Sequence, residues 1–77
     1  MTWQDKNPYE LLEVEQSATI EEIEKAKKLQ TSAWHPDKFK NPEFKLIADE
    51  RLKRILGAYE ILSDEELRES LDNALNA

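Results

Sequence analysis

The sequence predicts an all-α fold of four helices, the second and third long enough to pack as an antiparallel hairpin. Three observations carry that prediction. Four segments open with helix-capping signatures, their apolar residues recur at steps of three and four, and one glycine alone interrupts them. No run alternates apolar and polar residues in the manner of a strand, and no internal repeat is visible.

The first helix follows from Asn7-Pro8-Tyr9-Glu10. A capping side chain precedes a proline at the first helical position, and the glutamate is spaced to reach back to the cap. The helix is expected over about residues 8–14, with Tyr9, Leu12 and Val14 closing one end of the core. Thr19-Ile20-Glu21-Glu22 is a capping box opening a second helix over about 20–34. There Ile23, Ala26, Leu29, Ala33 and Trp34 are expected to form the inward arc, with Glu21, Lys25 and Lys28 opposite.

Asn41-Pro42-Glu43 repeats the asparagine-proline start, and the third helix is expected over about 42–62. Phe44, Ala48, Leu52, Ile55, Tyr59 and Leu62 make its core stripe, widened by Ile47 and Ala58, while Leu46, Leu56 and Ile61 fall off it. Gly57 lies within this helix, where glycine costs about 1 kcal/mol relative to alanine unless another backbone comes close. Ser63-Asp64-Glu65-Glu66 reads as a further capping box, starting a fourth helix over about 64–74 with Leu67, Leu71, Ala74 and Leu75 as its seam.

Length and composition agree with one small helical domain over residues 1–77. With no cysteine there is no disulfide, and a single histidine leaves carboxylates alone to complete a zinc site, so no metal or other cofactor is expected. Helix packing has to stabilise the chain. No apolar run is long enough to span a bilayer, and Met1 to Lys6 lack the basic-then-apolar pattern of a secretory signal. A cytoplasmic location and no membrane partner are the expectation. The net charge of -6 is uneven: five lysines (25, 27, 28, 38 and 40) face one acid, Asp37, between Lys25 and Lys40, a local balance of +4. Such a patch suits an acidic partner surface and long-range steering.

The connector between the long helices, His35-Pro36-Asp37-Lys38-Phe39-Lys40-Asn41, has an ordinary length and an unusual content. Pro36 disfavours helical geometry at His35 and supplies no backbone donor, so the second helix should end there. The proline restricts how the imidazole and the Asp37 carboxylate are presented at the hairpin tip.

Pro8-Tyr9-Glu10-Leu11-Leu12, then Glu22-Ile23 and Ala26, then Trp34-His35-Pro36-Asp37-Lys38, then Ile55, Ala58-Tyr59-Glu60-Ile61-Leu62-Ser63-Asp64 and Arg68 with Asp72 appear in the order found in J-domains. From about Asn7 to Asp72 the chain resembles that family. The resemblance implies a J-domain-like four-helix fold in a co-chaperone that docks on a DnaK-type heat-shock chaperone and stimulates its ATP hydrolysis. It assigns His35, Pro36 and Asp37 to the trigger and Lys25, Lys27 and Lys28 to the docking helix, with Lys38 and Lys40 as additional contacts. The chain itself is then not an enzyme, because the ATP is held by the partner, and the isolated domain is expected to be a monomer.

The sequence departs from the family pattern in the second helix. Lys27 and Gln30 stand where an aromatic residue and a leucine are usual, and Glu24 and Leu29 where basic residues are common. Leu29 is therefore expected to supply core contact that Gln30 cannot. Glu13 follows Leu12 where the family often has glycine. These departures keep a second reading open: a J-like interaction domain with altered or lost chaperone stimulation. Two other classes fit less well. An enzyme using His35 and Asp37, with Ser32 as nucleophile, has no cofactor loop and an exposed site. A nucleic-acid binder using the same lysines conflicts with overall acidity, so no nucleic acid is expected.

Overall fold

The computed structural model describes residues 5–77, so the first four positions of the expected domain lie outside the described residues. The helices are α1 (Pro8–Leu12), α2 (Ile20–Ala33), α3 (Pro42–Ser63) and α4 (Glu65–Leu75), with a 3-10 turn at Pro36–Lys38 between α2 and α3. The local chemistry of the caps sets these bounds. The Asn7 side chain accepts from the Glu10 N–H at 3.0 Å while the Asn7 N–H donates to the Glu10 carboxylate at 3.1 Å. Thr19 and Glu22 make the same reciprocal pair at 3.0 and 3.2 Å. The Thr19 backbone N–H, and then its hydroxyl, hold the Glu22 carboxyl below the usual carboxylate range. That cap is complete at neutral pH, and its contribution is lost as the pH falls through the lowered pKa.

Two bounds differ from expectation. α1 ends at Leu12, not near Val14, because Glu13 takes the left-handed conformation at φ 58° and ψ 45°. The Glu13 N–H then bonds the Glu10 carbonyl at 3.1 Å and the Val14 N–H the Tyr9 carbonyl at 3.0 Å, a Schellman ending made without glycine. At the other end, Asp64 rather than Ser63 caps α4. Its carboxylate accepts from Glu66 N–H at 3.0 Å and Leu67 N–H at 3.1 Å. Ser63 remains in α3 and donates its hydroxyl to the Glu60 carbonyl at 3.4 Å.

α3 is the spine, packed against the other three helices and the turn. The core joins Tyr9, Leu11 and Leu12 of α1, Ala18 of the following loop and Ile23 of α2 to Ile55, Ala58 and Leu62 of α3. Leu12, Ile23, Ile55 and Leu62 are fully buried, and each such side chain contributes about 1.5–3 kcal/mol relative to exposure. Ala48 is buried as the stripe predicts, but Phe44 and Ile47, counted on that stripe, stay 55% and 47% exposed. They belong to the tip half of α3, whereas the α1 residues of the core group with Ile55, Ala58 and Leu62 farther along the helix. On α4 only Leu71 packs on the core, while Leu67, Ala74 and Leu75 are exposed.

The largest correction concerns α2. Leu29 and Ala33, expected inside, are exposed, and Gln30 and Lys27 turn towards the interior with Ile23, Ala26 and Trp34. Both polar residues find partners: the Lys27 ammonium lies 5.0 Å from the centre of the Tyr59 ring, and the Gln30 amide donates to the Glu13 carboxylate. Those contacts give α2 a rotation different from the one its hydrophobic spacing predicts.

Gly57 meets no close backbone: a Cβ built on it would have nothing within 4 Å. Its flexibility serves no contact, so Gly57→Ala is expected to raise stability by about 0.5–1 kcal/mol. Chemical denaturation with an unchanged m-value would show it, and a loss of stability would contradict the open space around this position.

Among the described residues no helix is long and apolar enough to cross a membrane.

Candidate partner-binding site

The hairpin tip is built from three local devices. Trp34 ends α2 with its N–H on the Gln30 carbonyl at 3.0 Å, and His35, held extended ahead of Pro36 at φ -67° and ψ 126°, begins the turn. Lys38 N–H to His35 carbonyl and Phe39 N–H to Pro36 carbonyl, both 3.1 Å, close the turn. Asn41 then caps α3, accepting from Glu43 N–H at 2.8 Å and Phe44 N–H at 3.4 Å.

Within the turn, His35 acts as its own cap: Nδ1 accepts from the Asp37 N–H at 3.3 Å. The proton of the neutral imidazole then belongs on Nε2, which leaves that nitrogen as the ring's donor. The same Nδ1 stands 3.6 Å from the Asp37 carboxylate, and the two side chains are 54% and 88% exposed. An imidazole donor and a nearly bare carboxylate are thus presented side by side on a hydrogen-bonded turn.

The turn is braced by the packing around Trp34. The Trp34 ring stacks on Phe39, with centres 6.1 Å apart and planes 12° apart, and carries the Arg51 guanidinium 4.0 Å from its centre. Neither Phe39 nor Arg51 was singled out for the site from sequence. The available signal was Arg51 itself, a charge on the core stripe one turn before Ile55.

The expected docking lysines separate into two groups. Lys25 and Lys28 share the exposed face of α2, and the Lys38 ammonium reaches Ser32 Oγ at 3.4 Å, extending that row to the turn. Lys27 lies about 160° around the helix from Lys25, half-buried over Tyr59, and is not part of the row. Its ammonium is used inside the domain.

At the opposite end, Arg68 holds the chain together. It donates from Nε to the Tyr9 hydroxyl at 2.9 Å, and from one terminal nitrogen to the carbonyls of Gln16 at 3.0 Å and Ala18 at 2.7 Å. The Tyr9 hydroxyl donates in turn to Asp72. Burial first, and then the bond to Asp72, push the Tyr9 phenol above its ordinary range.

The model of the DnaJ domain matches residues 7–72, from the α1 cap through Asp72 of the Arg68 network. The chain belongs to the DnaJ domain family. It is 44% identical over 64 residues to human DnaJ homolog subfamily B member 2, covering 83% of this chain and 19% of that protein. To the chaperone protein DnaJ of Thermosipho melanesiensis it is 48% identical over 67 residues, covering 87% of this chain and 17% of the other. The chain therefore spans less than a fifth of the length of these two relatives. Among solved structures, the J-domain of the DnaJ homolog dnj-2 precursor from C. elegans has a TM-score of 0.84 at 38% identity, covering 92% of this chain and 71% of that one. The all-α J-domain fold read from the sequence is the fold this chain has.

Proposed function

We propose that this J-domain is a co-chaperone module that docks on a DnaK-type heat-shock chaperone and accelerates its ATP hydrolysis, with His35-Pro36-Asp37 as the trigger. The observation that carries the reading is the turn itself. In a chain of the DnaJ domain family, an exposed carboxylate and an imidazole donor stand on a braced 3-10 turn, beside a row of lysines running back along α2. Lys25 and Lys28 attract an acidic surface, and Lys38 continues the row to the turn. Asp37 then meets a basic group of the partner in a contact from which water is excluded, where an ion pair gains strength. Hydrolysis occurs in the partner's nucleotide site; the role of this chain is to favour the partner conformation that hydrolyses, a coupling between two sites.

The test is single-turnover ATP hydrolysis by the DnaK-type chaperones of the source organism, with and without the chain. Acceleration by the chain is expected. Equal rates with all of them would refute the proposal.

Charge steering gives a second expectation. Lys25→Glu with Lys28→Glu is expected to weaken docking strongly at low salt and much less at high salt, since the Debye length falls from about 30 Å at 0.01 M to about 10 Å at 0.1 M. Both side chains are exposed, but each reversal sets a like charge four residues from Glu21 or Glu24, so a modest stability loss of about 1–2 kcal/mol is expected and binding is compared under conditions where both proteins are folded. Titrations at two ionic strengths check it; an equal loss at both would mean that damaged packing, and not charge, is responsible.

A further inference from the structure

The outward side of α2 combines two chemistries, and the fold requires only one of them. Lys25, Lys28 and Ser32 form a polar row that Lys38 extends to the turn. Along one edge of that row, about 40–80° around the helix from Lys25, stand Leu29 and Ala33, both exposed, with Leu29 at 71%. The inward arc meanwhile accommodates Lys27 and Gln30, satisfied by Tyr59 and Glu13. The usual pattern is inverted in consecutive turns: polar residues point in and a leucine points out.

An isolated exposed leucine is common on protein surfaces. The setting of Leu29 is more specific. Arginine, lysine and glutamine match leucine in helix propensity, so α2 would form as well with a polar residue there. Leu29 also lies between Lys25 and the turn, about 9 Å of helix from His35. A surface that touches both Lys25 and Asp37 therefore covers it. If that surface were polar throughout, covering Leu29 would strip water from carboxylates and return nothing; an apolar recess removes the leucine from water instead.

We infer that Leu29 is a specificity-determining contact residue. The docking face of α2 is a basic row with an apolar edge, and it fits a DnaK-type chaperone whose facing surface is acidic with an apolar recess opposite Leu29. This rests on the function proposed above. It divides the docking energy into two parts with different responses to salt: the lysine part fades as charges are screened, and the Leu29 part does not.

The experiment measures binding of the chain to the ATP-bound DnaK-type chaperones of the source organism at low and high salt. Leu29→Gln is expected to weaken binding by about tenfold at both salt concentrations. Its unfolding midpoint should match that of the wild type. Leu29→Met, which keeps the apolar volume, should bind within about twofold of wild type. Wild-type affinity in Leu29→Gln, with stimulation still abolished by Asp37→Asn, overturns the inference and leaves the proposed function standing. A Leu29→Gln defect that disappears at high salt also overturns it, because the residue would then act only through the neighbouring lysines. Absence of binding and stimulation by the wild type with every one of these chaperones overturns the proposed function, and the inference with it.

Discussion

Asp37→Asn is expected to abolish stimulation of the partner's ATP hydrolysis while leaving the domain folded. The structural half of that expectation follows from exposure. The Asp37 side chain is 88% exposed and its contact within the domain is to His35 Nδ1 at 3.6 Å. The bond that shapes the turn uses the Asp37 backbone N–H, which the substitution keeps. A surface change of this kind alters stability by no more than about 0.5 kcal/mol. The functional half follows from what docking does to a charge. Truncating one member of a hydrogen-bonded ion pair at an interface costs about 2–5 kcal/mol, much of it because the other charge is left buried and alone. That corresponds to a loss of roughly 30-fold to more than 1000-fold. At concentrations where the wild type is half-saturating, the variant should be indistinguishable from no addition. His35→Gln should act in the same direction, since it removes the imidazole that accepts from the Asp37 N–H. The check is the single-turnover rate beside the unfolding midpoint of each variant. Wild-type stimulation by both would remove the turn from the mechanism, and a collapsed midpoint would mean that the turn serves the fold.

How far the sequence could be read depended on whether a feature is local. The caps at Asn7, Thr19 and Asn41 involve groups within three residues of each other, so the sequence contains both partners. The His35-Pro36-Asp37 turn is local for the same reason. The rotation of α2 was not legible. Ile23, Ala26 and Trp34 face inward as expected, but the helical repeat lets either Leu29 and Ala33 or Lys27 and Gln30 complete their arc, and hydrophobicity favours the first pair. Lys27 and Gln30 face inward because Tyr59 of α3 and Glu13 after α1 supply partners remote in sequence. Phe44 and Ile47 misled for a related reason: their spacing marks a face of α3, and spacing cannot say where along the helix that face is covered. At Ser63 and Asp64 two capping residues stood side by side, and the longer run of α3 selected the second.

Arg68 shows the same division, and its removal should have the largest effect on stability. From sequence, Arg68 and Asp72 are a pair one turn apart. In the structure the guanidinium spans three chain segments, bonding the Tyr9 hydroxyl in α1 and the Gln16 and Ala18 carbonyls in the loop before α2. It also lies 5.5 Å from the centre of the Tyr9 ring. Arg68→Ala removes all of these contacts at once and strands two carbonyls, one belonging to buried Ala18. Hydrogen bonds from a charged group contribute about 1.5–3 kcal/mol each and are not additive within one network, so a total loss of about 3–4 kcal/mol is expected. A domain of 77 residues has a total stability of roughly 4–12 kcal/mol, so the loss removes between about a quarter and all of it. Arg68→Lys should recover only part, because an ammonium lacks the planar fork that reaches hydroxyl and carbonyls together. Tyr9 adds a pH signature. Its phenol is raised by burial and by the bond to Asp72, so the stability it contributes is fully present below the ordinary tyrosine pKa and is lost as the pH rises through the raised value. Tyr9→Phe should therefore flatten the alkaline limb of the stability profile and leave the acid limb, where Glu22 titrates, unchanged. Urea denaturation from acid to alkaline pH measures both effects. An Arg68→Ala midpoint equal to that of the wild type would show that helix packing alone holds α1 and α4 on α3.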